Sequence, residues 1–128
     1  MSLYRFMASD KEMPEYGTNN TNTMVIVDGL DISKEEDMDY VSQYTDKEFV
    51  NYVEFNYNLE NAQKVIDYIK DLLKDRFAVL LYNTWDTDKS PLTFKSININ
   101  DLTVETIKEL WGQESFKNNE CLKIYKEY

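Results

Sequence analysis

Between residues 58 and 73 apolar side chains recur at three- and four-residue spacing: Leu59, Ala62, Val65, Ile66, Ile69, Leu72 and Leu73. Glu60, Gln63, Lys64, Asp67, Lys70, Asp71 and Lys74 occupy the other positions, so the pattern predicts an amphipathic helix with one apolar face. Asn58 suits its N-cap, and Glu60 and Lys74 suit the two poles of its dipole. The period then changes. Residues 77–82, FAVLLY, form an unbroken apolar run too short for a helix, which reads as a strand covered on both faces.

The rest of the pattern is built around this helix and strand. Residues 3–8 alternate in the manner of a strand, and 24–27, MVIV, form a second, β-branched one stopped by Asp28-Gly29. Between them, residues 9–23 collect Pro14, Gly17 and a run of Asn and Thr, the composition of a mobile loop. Ser33 and Glu36 have capping-box spacing, which favours a short helix, whereas residues 40–45 favour strand by propensity and would make a hairpin with the next segment. Both readings stay open. Residues 49–57 read as a strand with Phe49, Val53, Phe55 and Tyr57 on one face. Residues 83–91, NTWDTDKSP, read as an exposed loop, and 92–99 as a strand whose apolar phase shifts near Lys95-Ser96, as a bulge would make it. A second helix is expected from Thr103, with Leu102 and Ile107 as a hydrophobic staple and Gly112 as its stop. A last strand is expected over 120–126.

From residue 49 onward the order is strand, helix, strand, strand, helix, strand. That is the split βαβ, or ferredoxin-like, order. The expected fold is therefore a single α+β domain over residues 1–128, a two-layer sandwich with both helices on one face of an antiparallel sheet. Two N-terminal strands would be added at an edge or as a hairpin.

Length and composition agree with one core: 128 residues, 42% hydrophobic, 30% charged, with ten Tyr, six Phe and two Trp. No apolar run is long enough to cross a bilayer, and the first residues show no export signal, so a cytoplasmic location is expected. The lone Cys121 excludes an intramolecular disulfide and fits a reducing compartment. Net charge is −10, and it is unevenly spread: residues 1–60 hold thirteen acids against four bases, residues 61–128 eleven against ten. Residues 28–48 alone carry eight acids against two lysines. Such a surface repels nucleic acid and anionic membranes and attracts a basic partner.

The composition excludes more chemistry than it suggests. Without histidine there is no Ser-His or Cys-His nucleophile and no His-ligated metal centre, and one cysteine supports no thiolate cluster. Three glycines cannot build a phosphate-binding fingerprint. Asp86, Asp88 and Ser90 have the spacing of an EF-hand start, but Pro91 stands where Gly is required and Ile97 where the bidentate Glu belongs. Asp28, Asp31, Ser33 and Glu36 match no known cation loop, so no metal and no cofactor are expected. Lys64, Lys70, Lys74 and Arg76 are interspersed with acids and read as a solvated helix face. Cys121 reads as a small apolar strand residue.

The function expected from these features is a small acidic protein-binding module, such as an inhibitor, immunity protein or antitoxin acting on a basic protein. Its candidate contact residues are Asp28, Asp31, Glu35, Glu36, Asp37 and Asp39, with Trp85 as an anchor or, on the plainer reading, a cover for the sheet edge. Two alternatives are a small-molecule sensor of ferredoxin-like architecture and, third, a carboxylate-dependent enzyme.

Overall fold

The long amphipathic pattern forms a helix, α2 (Leu59–Leu72), in the computed structural model, which describes residues 3–17, 30–35, 38–85, 91–112 and 119–127. Asn58 caps it as expected, its side-chain oxygen accepting the Asn61 amide at 2.6 Å. Ala62, Val65, Ile66, Ile69 and Leu72 are buried, whereas Leu59 is 66% exposed and leaves the apolar face to the next turn. The second long helix, α3 (Val104–Trp111), starts at Thr103 and ends at Gly112, and Leu102 and Ile107 join the same core. A four-residue helix, α1 (Met38–Val41), precedes both.

Six strands form one open, mixed sheet: β1 (Leu3–Ser9), β2 (Leu30–Lys34), β3 (Phe49–Phe55), β4 (Ala78–Trp85), β5 (Thr93–Asn98) and β6 (Glu120–Tyr125), in the order β2-β3-β1-β4-β6-β5. The α+β class and the element order from β3 onward are as expected. The ferredoxin-like spatial order is not: β1 lies between β3 and β4 instead of at an edge, and β5 runs parallel to β6 at the rim. The β3-α2-β4 crossover is thus split by the N-terminal strand, while β5-α3-β6 is an unsplit unit. The two crossovers use oppositely directed strand pairs and step in opposite directions across the sheet. One hand of crossover therefore places both helices on the same face.

That face holds the main core, where Ile66, Ile69, Leu73, Ile107 and Trp111 meet Met7, Val53, Val79, Leu81, Leu122 and Ile124. The opposite face is covered by aromatic rings. Phe6 and Tyr82 stack at 4.5 Å, Tyr4 lies 4.6 Å from Tyr40, and Val41 of α1 is fully buried against them.

Other expectations are corrected by the pairing. Ser33 lies inside β2 and caps no helix; the helix begins at Met38, and residues 40–45 continue into a turn instead of a strand because Tyr40, Val41 and Tyr44 have an aromatic sheet face to bury against. Asn83, Thr84 and Trp85 extend β4 instead of opening a loop, since Asn83 and Thr84 pair with Arg5 and Tyr4 and the Trp85 amide donates to the Asn119 side chain at 2.9 Å. The β5–β6 register is continuous from Thr93 to Asn98, with no bulge at Lys95-Ser96; the apolar phase shifts because Phe94 pairs with Cys121, on the aromatic face, and Ile97 with Ile124, on the helix face. The strand expected over 24–27, the loop oxygens of 86–90 and the connection over 113–118 lie outside the described residues. Among the described residues no helix is long and apolar enough to cross a membrane.

Ile69 is fully buried between α2 and the sheet. Ile69→Asp is expected to cost about 3–5 kcal/mol, enough to unfold a marginal domain, whereas Leu59→Asp should stay within about 0.5 kcal/mol. Urea titration followed by circular dichroism checks both, and a folded Ile69→Asp with unchanged midpoint would contradict the core assignment.

Candidate functional site

The segment from Ser9 to Tyr16, expected to be mobile, is tied to the core by three side chains. Arg76, just beyond α2 and 9% exposed, donates to the Ser9 hydroxyl (3.1 Å), the Lys11 carbonyl (2.9 Å) and the Glu12 carbonyl (3.1 Å), and its Nε to the Leu72 carbonyl (3.0 Å) and Asp75 (2.8 Å). It is therefore a buried clamp, not part of a solvated helix face. The clamp also holds the Asp75 carboxyl below its usual range, chiefly through that hydrogen bond. Asn51 of β3 donates to the Met13 carbonyl at 3.2 Å, and the Tyr68 hydroxyl of α2 to the Pro14 carbonyl at 2.5 Å. Burial pushes the Tyr68 phenol up to about 12. Tyr16 then exchanges both backbone bonds with Ile32 (2.8 and 2.7 Å), and Gly17 leaves the bridge at φ +112°, where any Cβ would lie 2.5 Å from the Asp31 carboxylate.

Anchored this way, the segment forms one wall of a cleft of about 450 Å³. The other walls are the end of β2 with Glu35, the start of α1 and the start of β3. Four carboxylates from three segments line it, Glu12 and Glu15 from the first wall, Glu35 and Glu48 from the others, with Lys34 the one base in the lining. Its apolar lining comes from Met13, Phe49, Val50 and Met38, the last 40% exposed. Glu12, Glu15 and Glu48 are exposed; Glu15 also accepts the Lys34 amide at 3.2 Å, and Glu35 turns inward to accept the Tyr4 hydroxyl.

The residues singled out from sequence are dispersed. Glu35 reaches the cleft and Asp39 is exposed on α1 beside it. Asp31 is 8% exposed on β2 opposite Glu54, and burial followed by the Glu15 charge raises its carboxyl above the usual range. Trp85 is half-buried at the end of β4, its indole N–H buried without a hydrogen-bond partner among the described residues. Asp28, Glu36 and Asp37 lie outside the described residues. Glu12 and Glu15 precede the acid-rich stretch of residues 28–48 and Glu48 ends it, so none of the three is among the candidate contact residues. The signal that marks them is the N-terminal charge excess taken as a whole, together with an anchored backbone that composition does not reveal.

Cys121 is fully buried next to Tyr82, and burial raises its thiol to about 11, so it is held as the unreactive form at neutral pH. Asn83 is completely buried, and among the described residues neither side-chain amide atom has a hydrogen-bond partner, an unusual arrangement for a central strand.

Comparison of the chain with protein-family models, curated proteins and solved structures returns no match.

Removing the Arg76 guanidinium takes away the donor to the Ser9 hydroxyl and to the part-buried carbonyls of Lys11 and Glu12, while the Leu72 carbonyl keeps the Asp75 amide. Arg76→Ala is expected to cost about 2–4 kcal/mol in urea unfolding and to speed amide hydrogen exchange at Lys11 and Tyr16, the hydrogen-bonded amides of this segment, before any other segment. Unchanged stability would mean that solvent replaces the clamp.

Proposed function

We propose that this protein binds a basic protein segment in the acid-lined cleft between residues 12–15, the end of β2 and the start of β3. The observation that carries this reading is the convergence of four carboxylates from three separate chain segments, residues 12–15, the end of β2 and the start of β3, on one apolar-floored cleft. Exposed carboxylates at the rim steer a cationic partner and set its on-rate, while Met13, Phe49, Val50 and Met38 offer apolar surface to the aliphatic stems of Lys and Arg. The acidic segment therefore contributes through Glu35 and Asp39 at one side of the cleft, and its reach extends to Glu12, Glu15 and Glu48. Carboxylates at an exposed rim suit binding better than acid–base catalysis, which needs a desolvated acid beside a reacting group. A module of this kind acts by occupying the partner, as inhibitors, immunity proteins and antitoxins do.

Calorimetry with a synthetic Lys/Arg-rich peptide tests the reading. Binding is expected to weaken steeply with salt and to fall by about tenfold or more when Glu12, Glu15 and Glu48 are changed to Lys, but by far less when Glu60, Asp67 and Asp71 on the solvent face of α2 are changed to the same extent. Equal losses in the two triple variants would show that net charge alone attracts the peptide.

A further inference from the structure

The two edges of the sheet are finished differently. At β2 the outward backbone groups of Ile32 are taken by Tyr16, and the Lys34 amide by the Glu15 carboxylate. At β5 no described residue plays that part. The Thr93 amide donates to the Asn119 carbonyl and Thr93 sits opposite Glu120 in the parallel ladder, so Thr93, Lys95 and Ile97 turn their backbone groups to β6. Phe94 and Ser96 therefore point their amides and carbonyls away from the sheet. Residues 93–96 are all exposed, and the Phe94 ring is 66% exposed. A bare edge of this kind is a template for another strand.

We infer that β5 pairs antiparallel with β5 of a second copy of this chain, joining two six-stranded sheets about a two-fold axis. Ser96 would face its own copy, with Phe94 opposite Asn98 of the second copy and Lys95 opposite Ile97. The two lysines do not meet, and each Phe94 loses solvent contact. The strand suits a self-complementary contact because residues 93–98, TFKSIN, contain no acid in a chain of net charge −10, so two like-charged copies approach where local repulsion is least. The two-fold contact also closes the assembly, since each copy covers the other's bare edge.

Sedimentation velocity of the full chain, from micromolar to about 1 mM, reads the dimer against the 15.2 kDa monomer. Added salt should strengthen the dimer or leave it unchanged, by screening the net repulsion, which is opposite to the salt response of the acid-lined cleft. Ser96→Pro removes an outward amide that the monomer does not use. It should weaken self-association by about tenfold or more while the melting temperature holds, and Phe94→Asp should do the same. Ile97→Pro, which removes an inward amide, should instead destabilise the monomer. A chain that remains monomeric throughout, or a dimer indifferent to both Ser96→Pro and Phe94→Asp, overturns the proposal.

Discussion

The central strands must be buried on both faces, and most of the architecture follows from how that is done. β1 and β4 lie in the middle of the sheet, so each supplies alternate residues to two different cores. Met7, Val79 and Leu81 face α2 and α3; Phe6, Ala8 and Tyr82 face the other way. The helices cover the first face with branched aliphatic side chains. Too little helix remains to cover the second, and the chain closes it with Tyr4, Tyr40, Tyr44 and a single turn of helix. Large, flat rings bury much area per residue, which is how so short an element seals a sheet face.

The same economy sets where polar groups can sit. Segments crossing the ends of the sheet cannot leave buried backbone groups unpaired, so long side chains from the scaffold reach out to satisfy them. Arg76, Asn51 and Tyr68 do this for residues 9–14, and Asn119 does it for the ends of β4 and β5, accepting from Trp85 through its side chain and from Thr93 through its backbone. A consequence is that the acid-bearing wall of the cleft is part of the folded scaffold. Its backbone is held in place, so a partner in that cleft would not have to order it.

Periodicity made the scaffold legible. Asn58, the apolar stripe of α2, the run through Val79 and Leu81 and the Leu102–Ile107 staple are all local signals, and each appears where its spacing places it. Spatial strand order is not a local signal. Nothing in residues 3–8 says whether that strand sits at an edge or between β3 and β4, because an apolar strand flanked by aromatics suits any doubly covered position. Residues 40–45 are ambiguous for a related reason, since Tyr and Val favour strand in isolation and here serve as a cover. Arg76 looked solvated because its sequence neighbours are acids. Its partners, Ser9, Lys11 and Glu12, are distant in the chain, and only the fold brings them together.

The claim that most needs a direct test is that the cleft walled by Glu12, Glu15, Glu35 and Glu48 is where a basic segment binds. Amide chemical-shift mapping by NMR, with a Lys/Arg-rich peptide added to the isotope-labelled chain, reads this residue by residue. Saturable shifts are expected at Met13, Glu15, Lys34, Glu48, Val50 and Asn51, with little change along α2. Shifts spread evenly over the acidic surface, or centred on α2 or β5, would contradict it.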